Sequence, residues 1–288
     1  MTTPATFQSA LRETGGILLE GRRPAPCCCV TPRYHLAHVC ALARGAGAIR
    51  RAGAAGFRGE AFNTAVRVLN VMLRFGGSLH AAGFDRAREC FDRPAVYVSN
   101  HMGAVETYLL PGILLGLGNM SVVVKTSLLK FPFIGPILRA SQPIALGRQD
   151  ARRDLLQILG EGQALLRGGR AIVLFPQGTR RHPFEARRFN SLGEKLSARA
   201  GVPLVPVAVD TRFQALGKIL PDFGAVRPRF TIRVECGEPI PPGLPARERH
   251  ARSISFIRER LLAWGVPVVE ETVHGDMHPP TPNPKDSL

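Results

Sequence analysis

The residues best suited to chemistry stand together in the stretch Val96-Tyr97-Val98-Ser99-Asn100-His101-Met102-Gly103-Ala104-Val105-Glu106. Histidine is the side chain whose ordinary pKa suits proton transfer near neutral pH. A carboxylate within reach can hold the imidazole in one tautomer and leave the other ring nitrogen free to take a proton. The spacing restricts where the two can meet. Inside one continuous helix His101 and Glu106 would sit roughly 140° apart. They can touch only if His101 lies on a strand-to-helix turn and Glu106 falls in the first helical turn.

The flanking residues supply such a turn. Ala95 to Ser99 is an apolar, β-prone run, and Thr107 to Leu117 reads as a helix. In an open α/β sheet, ligands gather at the carboxyl ends of the strands, where His101 would stand. Further blocks follow in order. Ser121 to Lys125 is a short β-branched strand, and Lys125 to Pro136 mixes two lysines with apolar, proline-punctuated residues. Gln142 to Leu146 can form a strand that ends at Gly147-Arg148. Ala171 to Phe175 is an apolar run of the kind found in strands buried on both faces. It leads into Phe175-Pro176-Gln177-Gly178-Thr179-Arg180, and Val202-Pro203-Leu204-Val205-Pro206-Val207 comes later.

Helices fill the intervals. One begins near Asp150, carries Leu155, Leu156, Leu159, Leu165 and Leu166, and is ended by Gly168-Gly169. Others span Ser191 to Ala200 and Ala246 to Leu262, with strands at Leu204–Val209 and Phe230–Glu235. Strands alternating with helices predict an α/β fold, a mixed, largely parallel central sheet flanked by helices. Ahead of it, Glu60 to Arg88 carries Phe62, Val66, Leu69, Leu73 and Leu79 with Arg67 and Arg74 among them. It reads as an N-terminal amphipathic helical segment that packs on the domain or lies in a membrane interface. The expected organisation is an extension over residues 1–56, poorly structured or helical from His35 to Ala48. The amphipathic segment follows at 57–88, a catalytic domain at 89–266 and a Pro-rich disordered tail at 267–288.

Composition narrows the partners. The chain has 288 residues, is 45% hydrophobic and carries a formal net charge of +16, so its partner should be anionic. The arginines are scattered without interleaved aromatics or a zinc-finger signature, which argues against nucleic acid. Anionic lipid headgroups and phosphorylated substrates remain. The six cysteines are unevenly placed. Cys27-Cys28-Cys29 lacks metal-type spacing and reads as reduced thiols, with lipidation as the alternative. No secretory leader is visible at the N-terminus. The nearest thing to a membrane span, Tyr108 to Val124, is broken by Pro111 and glycines.

Taken in order, Asn-His-x4-Glu at 100–106, the Lys125–Gly135 loop closing at Arg148, Phe-Pro-Gln-Gly-Thr-Arg at 175–180 and the Val202–Val207 block resemble the glycerolipid (lysophospholipid) acyltransferase family. The resemblance covers about residues 90 to 240. That family usually shows His-x4-Asp and Phe-Pro-Glu-Gly-Thr-Arg, so Glu106 and Gln177 are departures. Glu106 keeps the carboxylate. Gln177 loses a charge at a position the family associates with the acyl acceptor.

The resemblance implies that His101 is the general base, held by Glu106, and that the acceptor hydroxyl attacks an acyl thioester directly. The thioester would be acyl-CoA or acyl-carrier protein, with no cofactor and no metal. It implies a substrate-binding set of Asn100, Lys125, Arg148, Phe175, Pro176, Gln177, Gly178, Thr179 and Arg180. Arg180 is the foremost candidate for a bidentate phosphate contact, and amides near Gly178 are candidates for the oxyanion. The expected acceptor is a lysophospholipid, foremost 1-acyl-sn-glycerol-3-phosphate, and the expected location the cytoplasmic face of a membrane, peripheral or monotopic. The rival readings are acylation of a non-glycerol acceptor such as an aminolipid, and a non-catalytic lipid-binding member marked by Gln177. The presence of both His101 and Glu106 argues against the second.

Overall fold

The computed structural model describes residues 1–22, 30–132 and 134–269. The Cys27–Cys29 run, Phe133 and residues 270–288 of the expected tail lie outside these. The strands are β1 (Ile17–Glu20), β2 (Ser78–Ala82), β3 (Val96–Ser99), β4 (Met120–Lys125), β5 (Ile144–Leu146), β6 (Ala171–Leu174), β7 (Phe184–Glu185), β8 (Leu204–Asp210), β9 (Ile232–Cys236) and β10 (Val268–Val269). The helices are α1 (Pro4–Ser9), α2 (Val30–Arg74), α3 (Val105–Leu117), α4 (Ile134–Ala140), α5 (Ala151–Arg167), α6 (Leu192–Ala200) and α7 (Ala246–Ala263).

The central sheet has eight strands in the order β1-β2-β9-β8-β3-β6-β4-β5. β3 runs parallel to both β6 and β8, and β4 runs parallel to β6 and β5. The β8–β9 and β1–β2 pairs are antiparallel. This is the mixed, mostly parallel sheet that the alternation of elements predicts.

The central strands are apolar up to Ser99 and Asp210 at their carboxyl ends because helices cover both faces. Tyr97, Val173, Val205 and Val207 point into a core beneath α2 and α3. Val96, Val98, Ile172, Leu174 and Leu204 point the other way, onto Leu196 and Ile257 of α6 and α7. The two-residue period of a strand splits one hydrophobic run between two cores. Helix ends follow local chemistry. Asp150 caps α5 by accepting from the Arg152 and Arg153 amides, and α6 stops at Gly201 with φ 66°.

The N-terminal third departs from the sequence reading only in part, since His35–Ala48 is helical as expected and lies within α2. Residues 4–14 are helical and β1 completes one edge of the sheet, so this part is not a loose extension. Helix α2 is broken at Gly53 (φ 64°, ψ −165°), and its two halves touch where Gly45 meets Thr64. The helical reading of Glu60–Arg88 holds only to Arg74. Gly76 (φ 88°) stops the helix, and the Gly77 amide bonds back to Met72 O at 2.9 Å. Strand β2 follows, and Leu79 is a buried strand residue paired in register with Ile232.

Phe62, Val66, Leu69 and Leu73 are buried in the core. Gly112 and Gly116 of α3 lie against Ala65 and Phe62 of α2. The face offered to a membrane by the sequence reading is therefore covered by the chain itself. At the other end Val268–Val269, assigned to the tail, pairs with β7. No helix among the described residues is long and apolar enough to cross a membrane.

Candidate active site

Three carboxyl ends meet at the centre of the sheet. β3 delivers Asn100 and His101, β6 delivers Phe175 to Arg180, and β8 delivers Thr211. Between β3 and α3 the chain turns through Met102 and Gly103, which puts Glu106 in the first turn of α3. A carboxylate there is favoured by the helix N-terminus.

His101 Nδ1 lies 2.9 Å from Glu106 Oε1. The same oxygen accepts the amides of Met102 at 2.7 Å and Gly103 at 2.5 Å. Its partner Oε2 accepts the Thr211 hydroxyl at 2.6 Å. Glu106 is fully buried. Burial is the largest influence on its carboxyl and pushes its pKa up, but the His101 contact, the Thr211 hydroxyl and the Gly103 amide outweigh it. The net result is a pKa below the ordinary carboxylate value. An ionised Glu106 has no proton to give, so Nδ1 must carry the hydrogen and Nε2 is the basic nitrogen. The imidazole stacks on the Phe175 ring, centroids 4.6 Å apart. The spacing argument for a strand-to-helix turn is thus realised in full.

The remaining candidates divide. Asn100 is buried and locked to β8, donating to Val209 O at 2.8 Å and accepting from Val209 N at 2.9 Å. Its amide fixes the turn, with one N–H and one oxygen lone pair committed to β8. Gln177 is buried, and its Oε1 accepts the His101 amide at 2.8 Å. Its Nε2 has no protein partner. An N–H must face an oxygen, so the amide orientation is set by chemistry.

Pro176 is buried, and its carbonyl accepts the Asn190 side chain. Gly178 (φ 68°) makes the turn, with its amide donating to Phe175 O at 2.9 Å. That amide is spent, which removes it from the oxyanion donors that the sequence suggested. Arg148 reaches this turn and donates to Gly178 O at 2.5 Å. Thr179 is exposed. Arg180 forms an ion pair with Asp222 at 2.5 Å. Lys125 is exposed at the end of β4, on the same edge of the sheet but separated from β3 by β6.

Sequence reasoning missed Thr211, Asn190 and Asp222. Thr211 was within reach of it, since the residue after a central strand's carboxyl end is a site position by rule. Asp222 lies in a loop with no pattern of its own.

Residues 79–210 match the family model described as Acyltransferase. A 1-acyl-sn-glycerol-3-phosphate acyltransferase of Pseudomonas aeruginosa is 31% identical over 173 residues, 60% of this chain and 63% of that protein. A chloroplastic 1-acyl-sn-glycerol-3-phosphate acyltransferase of Arabidopsis thaliana is 32% identical over 131 residues, 45% of this chain and 34% of that one. The chain thus spans less than two thirds of the length of these relatives. The crystal structure of the 1-acyl-sn-glycerophosphate acyltransferase of Thermotoga maritima superposes with a TM-score of 0.47 at 18% identity, over 84% of this chain and 100% of that one. That likeness is too loose to add to the fold described above.

Proposed function

We propose that the chain, whose residues 79–210 match the Acyltransferase family model, is a glycerolipid acyltransferase that moves a fatty acyl group from a thioester to the hydroxyl of a lysophospholipid, 1-acyl-sn-glycerol-3-phosphate. The donor is acyl-CoA or acyl-carrier protein. The observation that carries this reading is the His101–Glu106 pair, with Nδ1 held and Nε2 on the other side of the ring. Nε2 takes the proton of the acceptor hydroxyl as its oxygen attacks the thioester carbonyl. Glu106 stabilises the imidazolium that forms. Collapse of the tetrahedral intermediate breaks the C–S bond, and His101 returns the proton to the leaving thiolate. The acceptor attacks directly, so no serine or cysteine nucleophile is called for. The unpartnered Gln177 Nε2–H, beside the His101 backbone, is the donor suited to the oxyanion.

Arg180 supports a phosphorylated acceptor, because a carboxylate of the chain already fills the position that an anionic headgroup would take. The second reading, a non-glycerol acceptor such as an aminolipid, is favoured by one observation. Gln177 presents a hydrogen-bond donor where the family commonly has a carboxylate. The membrane face that supplies the acceptor is, in this reading, the cytoplasmic one.

The test is a panel of phosphorylated and unphosphorylated lysolipids with labelled acyl-CoA and acyl-carrier protein. Labelled phosphatidate, with little product from unphosphorylated acceptors, supports the proposal. Equal use of both acceptor classes sinks the phosphate assignment.

A further inference from the structure

We propose that the hairpin from Phe213 to Arg227 is the lipid-docking loop of the chain. Its apolar tip enters an anionic bilayer surface beside the mouth of the acyl-transfer site. The inference rests on the reading above only for the presence of that site.

The loop exposes what a soluble surface should hide. Ile219 is 92% exposed, Leu220 61%, Phe223 48% and Leu216 42%. Clustered exposure of large apolar groups marks a contact surface. The exposure is held by ordered structure. At the base of the loop the Ala215 amide donates to Ala225 O and the Arg227 amide to Phe213 O. Gln214 Nε2 donates to Asp222 O at 2.7 Å. At the tip the Gly217 amide donates to Pro221 O and the Phe223 amide to Leu220 O. A Cβ at Gly224 would run into the Ala215 carbonyl and one at Gly217 into that of Leu220, so this turn needs its glycines. Helix α2 supports the loop. His35 Nε2 meets Gly224 O at 2.8 Å, the His35 ring lies against Phe223, and Leu36 beside it is 68% exposed.

Charge selects the partner. Lys218 stands exposed at the tip, Arg227 is exposed at the base of the hairpin with Arg229 just beyond it, and Arg33 is exposed on the stretch of α2 that supports the loop. The acid of this stretch, Asp222, is engaged by Arg180. Apolar side chains ringed by cations suit an anionic lipid interface, where the first enter the acyl layer and the second meet headgroups. A second copy of a chain with a net charge of +16 would bring like charges together. Position completes the argument. The segment opens at Thr211, whose hydroxyl donates to the Glu106 carboxylate, passes through the tip at Ile219 and Leu220, and returns through Asp222, which pairs with Arg180. A lysolipid lying in the bilayer would meet the site without leaving the surface.

The experiment uses the full chain and the double variant Ile219→Ser/Leu220→Ser, whose side chains lie outside the core. Partition is measured by co-sedimentation with phosphatidylglycerol/phosphatidylcholine vesicles and with pure phosphatidylcholine vesicles, in the absence of substrate. The proposal expects at least about tenfold weaker partition of the variant onto the anionic vesicles. It also expects an unchanged melting temperature and an unchanged rate on a water-soluble, short-chain lysophosphatidate. Lys218→Glu should weaken partition onto anionic but not neutral vesicles. Parent-like partition of the double variant overturns the proposal. So does a variant that partitions like the parent and differs only in oligomeric state. A parent chain that yields no acyl product with any acceptor would sink the acyltransfer reading and leave the partition result standing.

Discussion

Thr211→Val tests the dyad at a residue that touches no reacting atom. Valine keeps the shape and removes the hydroxyl that donates to Glu106 Oε2 at 2.6 Å. That oxygen belongs to a fully buried carboxylate, so no solvent replaces the donor. A hydrogen bond to a charged group contributes about 1.5–3 kcal/mol, which is about one to two pKa units. The variant should lose about that much stability at pH 7.5. The sign follows from the direction of the shift. Glu106 has a folded pKa below its ordinary value of 4.5, so its contribution is present above that value and is lost as pH falls through the folded pKa. The gap between parent and variant should therefore be full at neutral pH and shrink on the acid side. Urea unfolding from pH 7.5 to 3.5 measures it. The carboxylate also loses one of the anchors that aim the imidazole, so kcat should fall about tenfold or more with the acceptor KM little changed. Equal stability at pH 7.5, or a gap that widens toward acid, refutes the reasoning.

His101→Ala should lower kcat by about 10²–10⁴, with Glu106→Asp keeping part of the activity and Glu106→Ala much less; a turnover assay on folded protein decides. Arg180→Ala should raise the KM for a phosphorylated acceptor, and Arg180→Lys should restore it only in part because a point charge lacks the planar fork. Asp222→Asn should lower that KM, since the headgroup no longer competes with a carboxylate; acceptor-dependent kinetics test all three. Gln177→Glu should impair the native reaction by replacing a buried N–H donor with a second acceptor, as a kcat comparison on the best acceptor would show. His38 is held down to about 4 by burial first and by His35 second, Asp222 opposing. The folded chain resists a proton that the unfolded chain accepts, so this residue removes stability as pH falls from about 6.5 toward 4. His38→Phe should flatten that stretch of the pH–stability curve, and a steeper curve would contradict the assignment.

The central sheet and the dyad were legible because each has a local signature. β3, β6 and β8 are buried on both faces and read as continuous apolar runs. The spacing of His101 and Glu106 left one geometry in which they could meet. Asp150 and Gly168-Gly169 marked the ends of α5 because cap chemistry is local. Gly76-Gly77 is the same kind of signal, and passing over it turned β2 into a continuation of α2. The six-residue step from Leu73 to Leu79 fits neither helical spacing. β1 was invisible because four residues with alternating burial carry little pattern, and its identity comes from pairing with β2 at long range. Asn100 was assigned to substrate by its place in the motif, whereas its hydrogen bonds run to β8, which no reading of residues 96–106 alone could show. The Arg180–Asp222 contact is likewise a product of tertiary folding.

Both backbone groups of His101 are held by the chain that leaves β6. Its N–H donates to Gln177 Oε1 at 2.8 Å, and its C=O accepts the Arg181 amide at 2.8 Å. His101 and the 175–181 turn are therefore held as one body. A change of acceptor preference made at Gln177 also shifts the alignment of the imidazole, so selectivity and rate are not separate dials at that position. Exchange of the 175–181 turn with a relative requires the 99–106 turn to travel with it. Arg148 belongs to the same body through its bond to Gly178 O, whereas Lys125, at the end of β4, stands outside it.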